Sequence, residues 1–294
     1  MWSWGSLVGR LIAVRSQYLL LALSTSGTLV TFAVYRWIGA RQGGAWLRGR
    51  YMLFGLLGYF LYMVALNRSF RAFDAASEPM VLNYTWPLFT VVFTRLLYER
   101  RSQPGVSGWE AAGVLLGLAA VVVLATRGDP RSLDLANVPG VLWGLGAGVS
   151  YGLFSAYSGS VSREEHGAFL FSAIAGSWIL MAIASMTEAH LVATLTWRDV
   201  GISAVQGVLL NGVGYITWTR ANRIVREHGL RIASVASLTF ALPLLSAVWI
   251  ALVLGERALL RPYFALSLLL IVASYVSCQH DERATSQPVD AQST

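Results

Sequence analysis

The sequence predicts an all-α integral membrane protein, a ten-helix bundle made of two inverted five-helix repeats around a central cavity. Three observations predict it. Of the 294 residues, 55% are hydrophobic and only 13% charged, with a mean hydropathy of +0.57; a soluble domain carries about 25% charged residues. Ten apolar runs follow one another through short polar connections, which leaves no length for a soluble domain. Residues at corresponding places in the two halves also match. Five helices per half is an odd number, so a duplicated half re-enters the membrane from the opposite face.

In chain order the runs lie near 2–15, 17–38, 50–68, 76–98, 107–126, 138–160, 166–186, 199–220, 230–254 and 261–279. Crossing a bilayer takes about 20 residues at about 1.5 Å of rise each, and every run but the first reaches spanning length. Either the first helix, interrupted by Arg10, is short, or the true start lies upstream of Met1. The fourth run, Glu78 to Tyr98, carries Asn83, Tyr84, Thr85 and Trp86 ahead of a mid-segment Pro87. Polar groups and a missing backbone donor are costly in hydrocarbon, so neighbouring helices should wall this segment in, with its polar side on a cavity. The ninth run, Leu230 to Leu254, repeats the plan with Pro243. GxxxG-like spacings at Gly113–Gly117 and Gly144–Gly148 predict close helix packing. Residues 1–126 thus make the first repeat, 127–137 a connecting loop, 138–280 the second repeat, and the polar stretch 281–294 a disordered tail.

The matches between halves are short but ordered. Ser3-Trp4-Gly5 pairs with Ser150-Tyr151-Gly152, Arg68 and Arg71 with Arg220 and Arg223, Pro87 with Pro243, and Glu99-Arg100 with Glu256-Arg257. All basic residues are arginine, and the net charge is +7. Both dense arginine clusters, 36–50 and 220–231, fall on the inner side when both termini are cytoplasmic, which predicts that orientation. Positive loops beside apolar spans serve orientation and anionic lipid, and no basic stripe is interleaved with aromatics as nucleic-acid binding would require. The single Cys278 excludes an internal disulfide and a multi-cysteine metal site. The first residues lack the basic leader and small-residue cleavage site of a signal peptide.

Candidate site residues follow from polarity inside apolar runs. Glu78 could hold a substrate ammonium or a proton, or serve as an interfacial acid favoured in the first turn of a helix. Asn83, Tyr84 and Trp86 offer an amide and aromatic faces to a small zwitterion, or hydrogen bonds between helices. Asn211, Tyr215 and Trp218, at i, i+4 and i+7, share one helix face that is either a cavity wall or a packed seam. Tyr151, matched to Trp4, is a further candidate. Trp37, Trp46, Trp109 and Trp197 sit near segment ends as interfacial anchors. Pro87 and Pro243 are candidate hinges. The histidines, at 166, 190, 228 and 280, lie in loops or at a helix end, with no metal-ligand pairing, phosphate loop or nucleophile–base arrangement. The sequence therefore predicts no enzyme activity, no metal and no cofactor.

Ten helices in two halves, a proline in the fourth and ninth, and the closing Glu-Arg pairs resemble the drug/metabolite transporter superfamily of the EamA type, over roughly residues 2–280. Within it, LNYTWPLFTVVF at 82–93 and WSWGSLVG at 2–9 look like exporters of aromatic amino acids of the YddG type. The resemblance implies a basket-like bundle in a bacterial inner membrane, exporting aromatic and other neutral amino acids by alternating access, and a longer first helix than this chain supplies. Export of another metabolite or a cationic drug is the alternative, and a non-transporting sensor or structural protein the third reading. The implied partners are a small-molecule substrate and the bilayer, with no nucleic acid and no obligate protein partner.

Overall fold

The computed structural model describes residues 5–39, 46–74, 77–99, 107–228, 230, 232–245 and 261–286, and among them all regular structure is helical. In order these are α1 (Gly5–Arg15), α2 (Leu19–Ile38), α3 (Gly49–Ala72), α4 in two pieces (Ser77–Asn83 and Trp86–Thr94), α5 (Gly108–Ala125), α6 (Val138–Ser160), α7 (His166–Ser185), α8 (Trp197–Glu227), α9 (Ile232–Leu245) and α10 (Pro262–Ser286). Helices α2, α3, α5, α7, α8 and α10 are long and apolar enough to cross a bilayer, which marks a multi-pass membrane protein. The sequence reading expected nine such spans. Breaks divide α4 and α9, and α6, although 23 residues long, is diluted by glycine and serine. Helix α10 also runs on through 281–286, into the stretch expected to be a disordered tail; 287–294 lie outside the described residues, as do Ser3, Trp4, Arg100, Glu256 and Arg257.

Packing follows small residues. Helix α5 runs along α10, α2 along α7, and α4 lies on α6. The Gly144–Gly148 spacing seats α4: a Cβ at Gly148 would overlap the Thr85 side chain. Helix α3 packs on α6 and α7, and α8 packs on α6 and α2. The tightest approaches to a neighbouring backbone are Gly55 against Ala173 and Gly207 against Ser24, where any Cβ would meet a carbonyl. These glycines share one offset with the matched Arg68 and Arg220, 152 residues in each case (207 − 55 and 220 − 68). Both sit at widened π-turns, Leu56–Phe60 and Val205–Val213, a geometry often found at functional sites. In each crossing the glycine carbonyl accepts a hydroxyl from the neighbouring helix: Ser177 Oγ to Gly55 at 3.0 Å, and Thr28 Oγ1 to Gly207 at 2.9 Å.

The two ends of the bundle are tied differently. At one end the Glu188 carboxylate takes the N-terminus of α2, accepting the Gln17, Tyr18 and Leu19 amides at 2.8 Å and the Ser16 hydroxyl at 2.6 Å. This satisfies donors that a helix start leaves open. Beside it Arg15 pairs with Asp199 at 3.1 Å, while Asp199 also closes a capping box with Thr196. At the opposite end Glu165 gathers Arg48, Arg50 and the Tyr51 hydroxyl. The exposed Trp37, Trp46, Trp109 and Trp197 lie at helix ends, as expected of interfacial anchors.

Candidate functional site

The breaks in α4 and α9 build the middle of the molecule. Pro87 and Pro243 each lack the amide that would continue the helix. The chain breaks just upstream, at Tyr84–Thr85 and at Thr239–Phe240. A threonine closes each break: Thr85 Oγ1 donates to the Leu82 carbonyl and Thr239 Oγ1 to the Ala236 carbonyl, both at 2.6 Å. The break in α4 turns Asn83 and Tyr84 toward the bundle axis, and the α9 break sets Leu242 opposite.

There the helices enclose a central cavity of about 90 Å³, room for a few waters. Its wall takes Tyr62, Met63, Leu66 and Phe70 from α3, and Met80, Asn83, Tyr84 and Trp86 from α4 and its break. Tyr151 of α6, Gln206, Leu210, Asn211 and Tyr215 of α8, and Leu242 of α9 complete it. Aromatic rings dominate. Tyr151 lies 4.9 Å from Tyr62 and from Trp86, and 5.2 Å from Tyr215, with Trp86 and Tyr215 meeting it edge-on. Such a wall offers both ring faces and polarised edges to a second aromatic group. Among the described residues the lining includes amides and phenols but no charged side chain.

Six of the residues singled out in the sequence, Asn83, Tyr84, Trp86, Tyr151, Asn211 and Tyr215, meet at this cavity. Two lie elsewhere. Glu78 is buried at the head of α4, where its carboxylate faces the Asp134 amide of the 127–137 loop at 3.4 Å. Trp218 packs edge-on against Trp86 at 5.0 Å and donates its indole N–H to Ser155 Oγ at 3.0 Å, so it seams α8 to α6. Gln206 escaped the sequence reading for a geometric reason. Positions i and i+5 lie about 140° apart on an α-helix, whereas a π-turn, bonded i to i+5, nearly superposes them. The turn at Val205–Val213 therefore puts Gln206 and Asn211 on one wall. Tyr62 carried no signal beyond an apolar run.

Outside the cavity, several buried polar groups bridge helices. His166, read as a helix-end residue, does begin α7, but it is buried. Its ring bridges Tyr35 Oη at 3.1 Å and Thr219 Oγ1 at 2.9 Å, joining α2, α7 and α8. Glu110 of α5 is buried and paired with Arg95 at 2.8 Å, away from the cavity.

No protein-family model matches the chain, and no curated protein does. A solved structure described only as "Crystal structure of protein" is similar to it with a TM-score of 0.75 and 21% identity, over 96% of this chain and 94% of that one. At that identity the likeness shows the fold alone, and it extends over nearly the whole helical bundle.

Proposed function

We propose that the protein is a secondary transporter that moves aromatic and other neutral amino acids across a bacterial inner membrane by alternating access. The observation that carries this reading is the central cavity, walled by Tyr62, Trp86, Tyr151 and Tyr215 and lined by three uncharged amides. An aromatic side chain gains from burial against such rings, and amides and phenols serve a zwitterion without a full protein charge. Placement between broken helices agrees with this, since transporters bind substrate where discontinuous helices meet near the midplane. The matched prolines, π-turns and glycine crossings support two repeats of inverted topology, and the arginine clusters support cytoplasmic termini with the Glu165 end facing inward. Pro87 and Pro243 are then the hinges, one bending as the other straightens.

Among the described residues no carboxylate lines the cavity; of the buried ones, Glu110 and Asp199 are each held by an arginine, and Glu78 faces the Asp134 amide. That favours facilitated efflux over proton exchange, and it counts against a multiply charged drug as cargo. Purified protein in liposomes should take up labelled phenylalanine, tryptophan or tyrosine at the same initial rate with and without a pH gradient. Uptake of no amino acid above the leak of empty vesicles would sink the reading.

A further inference from the structure

The polar groups beside the cavity form a relay with a direction. Thr28 owns one hydroxyl hydrogen, and two backbone carbonyls compete for it: Gly207 O at 2.9 Å and Ser24 O at 3.2 Å from Oγ1. Thr28 Oγ1 also lies 3.1 Å from the Tyr59 hydroxyl. Since a carbonyl holds the threonine hydrogen, this last contact takes the tyrosine hydrogen. Tyr59 is then left with lone pairs only for its next neighbour, the Asn211 amide at 3.2 Å. The group facing it must be the NH₂, because only a donor can satisfy an acceptor. The same NH₂ reaches Ser24 Oγ at 3.5 Å. Asn211 therefore keeps its carbonyl oxygen for the cavity that it lines.

Two further amides agree. Asn83 Oδ1 and Gln206 Oε1 are buried in the same lining, with no hydrogen-bond partner among the described residues. Buried polar atoms are nearly always paired, so an acceptor left open at a cavity points to a ligand that donates. We infer that Thr28 and Tyr59 are positioning residues that turn Asn211 into an acceptor, and that the cavity selects its substrate by an amine group. The lining offers amide oxygens to an ammonium, and among the described residues it holds no charged partner for a carboxylate. The inference rests on the cavity being the substrate site of the transporter proposed above, and it narrows the cargo to apolar-bodied primary amines, amino acids among them.

The test uses three probes of one shape: phenylalanine, phenethylamine, which lacks the carboxylate, and 3-phenylpropionate, which lacks the amine. Their midpoints for stabilising the purified protein against heat are compared in wild type, Tyr59→Phe, Thr28→Val and Thr28→Ser. In wild type, phenethylamine should bind within a few-fold of phenylalanine, and 3-phenylpropionate at least about 10-fold more weakly, the discrimination expected when buried acceptors lose their donor. Thr25 Oγ1, its own hydrogen on the Leu21 carbonyl, also faces the Tyr59 hydroxyl, so Thr28→Val is combined with Thr25→Val. With both oxygens gone the Tyr59 hydrogen reaches Asn211, which lets the amide turn its NH₂ to the cavity. The amine preference should then fall toward unity, fall likewise in Tyr59→Phe, and return in Thr28→Ser. A purely structural role for the relay would weaken all three probes alike, leave the preference unchanged, and overturn the inference. So would equal binding of 3-phenylpropionate and phenethylamine to wild type, with the transport reading left standing. Stabilisation by no probe would bring down the substrate site itself.

Discussion

The two glycine crossings show one backbone device put to two uses. At Gly55 and at Gly207 a helix passes its neighbour without a side chain between them, beside a π-turn and under a donated hydroxyl. At the first crossing the chain of contacts stops: among the described residues, Ser177 Oγ meets the Gly55 and Ala173 carbonyls and nothing further. At the second it continues, through Thr28 to Tyr59 and Asn211 at the cavity wall. A serine suffices where only the backbone is to be joined. The second crossing also carries an oxygen that passes the interaction on. The two crossings share the backbone device, and a difference of side chains gives one of them a place beside the cavity.

The comparison can be broken or sharpened in four ways, from the largest effect to the smallest. Gly55→Val and Gly207→Val should each lose about 3 kcal/mol or more, the upper end for overpacking, because the obstacle is backbone. Thermal unfolding followed by size-exclusion chromatography checks this, and a Gly207→Val protein as stable as wild type would show that the α2–α8 crossing is not tight. Next, Pro87→Ala and Pro243→Ala should each slow transport about 3- to 10-fold, roughly 1 kcal/mol of barrier, with less change in affinity. Cysteine labelling from each membrane side, in a Cys278→Ser background, should shift in opposite directions for the two variants. Identical shifts would make the prolines static kinks.

Thr28→Val and Ser177→Ala separate the two crossings most directly. Each removes one buried hydroxyl contact and should cost about 1 kcal/mol of stability, but only Thr28→Val, combined with Thr25→Val, should change which substrates are preferred. Equal changes in preference would merge the two crossings into one role. The smallest effect concerns the Arg48 end. The Tyr51 hydroxyl first, then Arg48 and Arg50, hold the Glu165 carboxyl below its ordinary 4.5, against the opposing pull of desolvation. A carboxyl depressed in the folded state stabilises it fully above the unfolded value and loses that contribution as pH falls through the folded one. Wild type should therefore lose melting temperature faster than Glu165→Gln as pH drops below about 4.5. Parallel curves would show that Glu165 contributes nothing there.

Much of this arrangement was legible in the sequence, for physical reasons that differ by residue. Pro87 and Pro243 announce their breaks because a missing amide acts locally, whatever surrounds it. Asn83 and Asn211 stood out because amides are costly among apolar residues in a membrane. Gly144 and Gly148 likewise read correctly as a packing seam. The π-turns did not show. They lie beside the tertiary contacts at Gly55 and Gly207, and they shift the angular register on which spacing arguments depend. Hence Gln206 was missed. Trp218 was assigned to the cavity face, whereas its partner on α6, Ser155, draws it aside. Glu78 shows the same limit: its carboxylate meets the Asp134 amide, 56 positions away in a loop.

The Glu188 cap on α2 has a consequence for biogenesis. The amides of Gln17, Tyr18 and Leu19 leave the ribosome about 170 residues before the carboxylate that satisfies them. Until then this helix start must remain at the membrane surface, where water supplies the acceptors. The first helices thus insert as an open assembly, and the turn after α7, the helix along which α2 runs, latches it. A nascent chain arrested before Glu188 should leave the 16–19 segment open to added protease, and one arrested well beyond it should protect that segment. Completion of the first half is in this sense delayed until the second half is two helices old.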